Sequence, residues 1–178
     1  MNKVIVIDAG HGGRDPGAVG KHIRESDMAL DIANRVRALF LQLGRIVHMT
    51  READLPVSLP ERANLANRLK ADIFVSIHIN AHRDPNVSGI EVFSFPGSIK
   101  GAKLRNAVYM EIMRLFPAWR GRGTKEANFY VLRKSEMPAC LVECGFISNV
   151  VDEQELQNPN VRQKFAEGIV AGIEAYLL

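Results

Sequence analysis

The stretch Val4-Ile5-Val6-Ile7-Asp8-Ala9-Gly10-His11-Gly12-Gly13 decides the fold. Its run of consecutive aliphatics, rich in β-branched side chains, reads as a short strand buried on both faces, as in the interior of a parallel sheet. Gly10, Gly12 and Gly13 then permit a tight turn and leave little bulk around His11. One imidazole is thus presented at a strand end, where open α/β sheets usually bind their ligands. Two phosphate-binding motifs fail here. A dinucleotide fingerprint needs glycine at Asp15, and a P-loop needs glycine at Asp15 with serine or threonine at His22. The glycines therefore serve the histidine; the alternative is an ordinary loop histidine.

Downstream, the segment Ile73-Phe74-Val75-Ser76-Ile77-His78-Ile79-Asn80 repeats that pattern, an apolar strand whose end delivers a histidine. Between the two strands, Ala29, Ile32, Ala33, Val36, Leu39, Phe40 and Leu43 have helical spacing and Gly44 closes the segment. Ser26 or Asp27 is the expected N-cap, which puts Glu25 at the mouth of this helix. Residues 46–50 read as a strand whose His48 is structural. Ser58-Leu59-Pro60-Glu61 has capping-box spacing and predicts a helix to about Lys70. His82 lies four residues beyond His78, but the chain there runs from strand into loop, so His82 is a weak ligand candidate.

A strand over 89–95, a helix over 102–116, a loop at Arg120-Gly121-Arg122-Gly123 and strands over 128–133 and 139–144 follow. The last helix is opened by Asn158 and Pro159, with Val161, Phe165, Ile169, Ile173 and Tyr176 turned inward. Strands alternating with helices, without repeats or a linker, predict an α/β fold. It is a single three-layer domain over 1–178, with a mostly parallel twisted sheet of about six strands flanked by helices on both faces.

Composition agrees: 178 residues with 47% hydrophobic content suit one domain. Lys plus Arg exceeds Asp plus Glu by 23 to 20, a net charge of +3. The excess suits an anionic polymer and is too small to indicate nucleic acid. Cations gather between Lys100 and Lys134, opposed only by Glu111 and Glu126, as a solvated face or a binding surface. Cys140 and Cys144 lie about 13 Å apart if extended, too far for a disulfide, and read as core residues. No apolar run is long enough to span a membrane. Met1-Asn2-Lys3 with the short apolar run behind it does not resemble a signal peptide, so export would need another segment or another route.

The chemistry centres on Glu143, a carboxylate inside the apolar run 140–146, costly there unless paired or metal-bound. Burial would raise its pKa toward that of a general base. His11, Glu25 and His78 come from two strand ends and a helix mouth; two imidazoles and a carboxylate are a set that leaves a position on Zn²⁺ open for water. Spacing alone leaves their convergence open.

The strings VIVIDAGHGGRDPGAVG, RESD, TREAD, SLPERANLANRLKADIFVSIHINAH, SGIEVF, NFYVLR, MPACLVECGFISN and DEQEL cover nearly the whole chain. In this the sequence resembles the zinc-dependent N-acetylmuramoyl-L-alanine amidases of the type-3 family, which include bacterial cell-wall hydrolases (autolysins) and catalytic domains of phage endolysins. The resemblance implies one Zn²⁺ held by His11, Glu25 and His78, with Glu143 catalytic. Glu143 would take a proton from water and return it to the departing L-alanine nitrogen. The implied reaction cleaves the amide between N-acetylmuramic acid and L-alanine in peptidoglycan, at the cell wall, by a monomer. Ile79, where the family commonly has alanine, and Cys144, where an aliphatic is usual, depart from its pattern and could alter the cleft floor. Asp8 is a candidate acceptor for a ligand imidazole. Short connections after His78 and after Phe95 predict an open cleft, without the inserted helix that plugs some relatives. The alternatives are a zinc carboxypeptidase or deacylase on another amide, and a silent wall-binding domain.

Overall fold

The computed structural model describes residues 3–178; Met1 and Asn2, part of the leader reading above, lie outside them. In chain order the elements are β1 (Val4–Ala9), α1 (Glu25–Gln42), β2 (Ile46–Met49), α2 (Leu59–Arg68), β3 (Ile73–Asn80), β4 (Ile90–Ser94), α3 (Ile99–Leu115), β5 (Gly121–Glu126), α4 (Tyr130–Lys134), β6 (Ala139–Phe146), α5 (Val150–Gln157) and α6 (Pro159–Leu177). The strands form one six-stranded sheet in the order β2-β1-β3-β6-β4-β5. All neighbours are parallel except β4 and β6.

Both faces of the sheet are covered, as the unbroken apolar strands require. On one face Ile5, Ile7, Val75, Ile77, Cys140 and Val142 pack with Phe40 of α1, Leu104 and Ile112 of α3, and Phe165 and Ile169 of α6. On the other, Val6, Phe74 and Leu141 pack with Ala66 of α2 and Val131 and Leu132 of α4. Because side chains alternate along a strand, Asp8, Ser76, His78 and Glu143 belong to this second face. The two cysteines are buried and free. No helix among the described residues is long and apolar enough to cross a membrane.

Three sequence expectations need correction. The segment Arg120-Gly121-Arg122-Gly123 is not a loop: it opens β5, which pairs in parallel with β4 at the sheet edge. Glycine-rich, charged edge strands bury little, so they lack the apolar alternation that announces a strand. Residues 128–133 are not a strand; they lead into α4, which turns Val131 and Leu132 onto the sheet. Adjacent buried residues there fit a short helix landing on its flank as well as they fit a buried strand. Finally, Glu25 is the first residue of α1 and its N-cap is Arg24, so neither Ser26 nor Asp27 caps it. The capping box at Ser58 and the Asn158 cap of α6 form as expected.

Candidate metal centre

Three elements deliver the polar groups to one point on the second face. β1 ends at Ala9, and its backbone turns so that His11 adopts a left-handed conformation, φ 59°. Such a conformation is unusual for a side-chain-bearing residue and needs support from its surroundings. Two buried arginines supply it. Arg62 of α2 donates to the Ala9 carbonyl at 2.5 Å, the His11 carbonyl at 2.6 Å and the Asp8 carboxylate at 2.7 Å. Arg51 donates to the Ala9 carbonyl at 2.9 Å and the Gly10 carbonyl at 2.8 Å. The carbonyls of the turn, which the sheet leaves unpaired, are thus satisfied by charged forks.

Glu25 sits in the first turn of α1, 5% exposed. Its Oε1 accepts from the Ile79 amide at 3.1 Å and lies 2.9 Å from His78 Nδ1 and 3.1 Å from His11 Nε2. Its Oε2 accepts from the Ala18 amide at 2.8 Å. Burial opposes ionisation of Glu25, but the bonds to His11 and His78 outweigh it and hold the carboxyl well below its ordinary range. The same Glu25 bond raises the His11 pKa, against the effect of burial. The donor atoms of His11, Glu25 and His78 all lie within 4.8 Å of one another. The crowding is possible because two neighbours are glycines. A Cβ at Gly10 would stand 2.3 Å from the His78 ring, and one at Gly17, φ 66°, would stand 2.6 Å from Glu25 Oε2 and 2.7 Å from the His11 ring.

Glu143 lies across from His78 in the β3–β6 register and lines the same cleft, of about 940 Å³. Its Oε2 is buried without a hydrogen-bond partner. Burial, reinforced by the charges of Glu25 and Glu91, pushes its carboxyl well above the ordinary range. The group is therefore a poor anion and a ready proton carrier. The cleft walls are the 56–59 segment ahead of and into α2, and Phe129, Tyr130 and Val131 around α4. Segments 81–89 and 95–98 carry no helix.

The expected donor set converges, but the expected imidazole acceptor does not. Asp8 takes Thr50 Oγ1, Arg62 and Ser76 Oγ, at 2.6, 2.7 and 2.6 Å, and touches neither histidine. Instead Asp15 Oδ2 lies 2.8 Å from His11 Nδ1. Its signal was present in the sequence, since a carboxylate four residues past a loop histidine can turn back onto the ring. His82 stands apart, its Nδ1 accepting from the Asp84 amide, and His48 is exposed on β2. Sequence reasoning missed Arg51 and Arg62; the clue was a charged residue, Arg62, on the buried side of α2 beside Ala63 and Ala66.

Comparisons with known proteins give the family. A family model described as N-acetylmuramoyl-L-alanine amidase matches residues 5–175. The chain is 37% identical over 173 residues to the sporulation-specific N-acetylmuramoyl-L-alanine amidase of Bacillus subtilis, covering 96% of this chain and 66% of the relative. It is 36% identical to the endolysin of Bacillus phage SPP1, covering 99% of this chain and 67% of that protein. Among solved structures, the N-acetylmuramoyl-L-alanine amidase AmiC2 of Nostoc punctiforme superposes with a TM-score of 0.94 at 40% identity, covering 98% of this chain and 97% of the other. With the match running from the first buried strand to the last helix, the chain belongs to the N-acetylmuramoyl-L-alanine amidase family.

Proposed function

We propose that this chain is a zinc-dependent peptidoglycan hydrolase that cleaves the amide between N-acetylmuramic acid and L-alanine, with His11, Glu25 and His78 as metal ligands and Glu143 as the proton-transferring residue. The observation that carries the reading is the His-Glu-His set, with donors within 4.8 Å, beside a buried carboxylate whose Oε2 has no partner. Two imidazoles and one carboxylate suit Zn²⁺ and leave room for solvent. Asp15 on His11 Nδ1 is the kind of outer carboxylate that orients a ligating ring. Bound there, Zn²⁺ supplies Lewis acidity toward water and the scissile carbonyl.

The chain's own residues do the rest. Burial raises the proton affinity of Glu143, so its carboxylate form is a stronger base: it accepts a proton from the attacking water and releases it to the L-alanine nitrogen, which cannot depart as an anion. Arg51 and Arg62 keep the His11 turn from relaxing. The cleft, with no helix in the neighbouring 81–89 and 95–98 segments, supports a site competent without an activator. The three donors are supplied by one chain, and a peptidoglycan substrate puts the reaction at the cell wall.

The test is a muropeptide digest read by mass spectrometry beside the zinc content of the wild type and Glu143→Gln. The expected products are intact stem peptides with free L-alanine amines, and the variant keeps its zinc while turnover falls about 10²–10⁴-fold. Cleavage at a peptide C-terminus instead would favour the carboxypeptidase alternative. Unchanged turnover in the variant removes Glu143 from the mechanism.

A further inference from the structure

On the second face of the sheet, beyond β6 and outside the residues that line the cleft, side chains of β4 and β5 form a charged cluster separate from the metal centre. Glu91 is the Cα partner of Glu143 across the antiparallel β4–β6 pair, so the two side chains share a face. Glu91 is 3% exposed. Its Oε2 accepts at 3.2 Å from Asn80, a cleft-lining residue, which makes the cluster continuous with the cleft. Its Oε1 accepts from both Arg122 Nε and Lys125 Nζ at 2.5 Å.

One buried carboxylate needs one cation, and here it has two. The cluster therefore carries a net positive charge. Neither terminal amino group of Arg122 has a protein hydrogen-bond partner among the described residues, and the two side chains are 23% and 39% exposed. Their orientation is held from below: the Arg122 guanidinium lies 5.1 Å over the Phe146 ring and the Lys125 ammonium 5.9 Å over the Phe93 ring. A fixed guanidinium fork with free donors beside a second cation is built to receive a carboxylate.

We propose that Arg122 and Lys125 form a subsite for the peptide side of the substrate, and that it selects a free carboxylate on the residue following L-alanine. The proposal rests on the amidase reading, because that reading places the L-alanine nitrogen at Glu143. Neighbouring strands lie about 4.8 Å apart, so the cations, on β5 and reaching back over β4, stand between one and two strand spacings from Glu143. An extended dipeptide spans about 7 Å, which brings the second residue of the departing peptide over them. A carboxamide at that position would offer the fork an uncharged oxygen and forfeit the ionic part of the contact.

Calorimetry on the zinc-loaded full chain decides the matter with two synthetic tripeptides. Both begin with L-alanine and join the third residue through the side-chain carboxyl of the second, and they differ only in whether the α-carbon of that second residue bears a carboxylate or a carboxamide. The carboxylate form is expected to bind about five- to tenfold more tightly at low salt, with the preference shrinking as salt rises. Lys125→Gln and Arg122→Gln are each expected to move the ratio toward one. Lys125→Gln leaves Arg122 on Glu91, which protects the fold if the arginine variant does not accumulate. Equal affinities for the two peptides, or no binding of either, overturns the subsite. Failure of the amidase reading shows separately, as absence of N-acetylmuramoyl-L-alanine cleavage in the digest.

Discussion

Arg62 illustrates how much of the centre depends on side chains outside the His-Glu-His donor set. It is 3% exposed and its ion pair with Asp8, 1% exposed, sits beneath the His11 turn. Removing one member of a buried pair strands the other charge, so Arg62→Met is expected to cost about 3–5 kcal/mol in urea denaturation. Arg62→Lys should recover only part of this, because an ammonium cannot reach the Asp8 carboxylate and the His11 and Val57 carbonyls as one planar fork does. Asp15 makes a smaller contribution. It is exposed, and its bond orients a single ring, so Asp15→Asn is expected to weaken zinc binding about tenfold in a chelator competition, leaving the fold intact.

Elements place these residues, and their boundaries are written in the chain with uneven clarity. The Ser58 capping box was legible because it is a local hydrogen-bond pattern: Ser58 accepts from the Glu61 amide and Glu61 returns the contact. Ser58→Ala is expected to lower thermal stability by about 1 kcal/mol. The strand that leads into His11 and the strands that carry His78 and Glu143 were legible because unbroken apolar runs have few other uses. β5 and α4 were not, since one is a sparsely buried edge and the other is a five-residue helix whose form is set by what it lands on. α5 was missed for a related reason: its outward Val150 and Val151 are exposed while Asp152 and Glu153 are buried, which inverts the usual pattern. Asp152 is held in place by accepting from the Gly89 and Phe146 amides, both at 2.9 Å, and the first joins distant segments that no local pattern announces.

Helix packing supplies a further test. α6 crosses α3 so closely that a Cβ at Gly172 would stand 2.3 Å from the Val108 Cα. Alanine there would gain about 1 kcal/mol of helix propensity but would press on backbone that cannot rotate away. The steric cost wins, and Gly172→Ala is expected to destabilise the protein by about 1–3 kcal/mol in the same denaturation assay.

At the scale of the molecule, acid sensitivity follows from the paired carboxylates. Glu91 is opposed by its burial, yet Lys125 and Arg122 outweigh that and hold its carboxyl below the ordinary range. Asp31 behaves likewise between Arg35 and Arg162. A carboxylate whose folded pKa is depressed stabilises the fold fully above its unfolded value, near 4, and loses that contribution as pH falls toward the folded value. Unfolding midpoints measured from pH 7 downward are therefore expected to hold until about pH 5 and then drop, and Glu91→Gln should flatten part of the decline. Metal removal acts on the whole molecule too. If zinc binds only the assembled site, adding a chelator should lower the melting temperature of the wild type but have little effect on a His78→Ala variant.

The donors that meet at the cleft are contributed by positions 11, 25 and 78, with Glu143 supplied by the last strand to be synthesised. The full set cannot meet before β1, β3 and β6 lie side by side, so an incompletely folded chain holds these amino acids without the assembled site. Competence of the site is thereby an outcome of completed folding and not of any one segment.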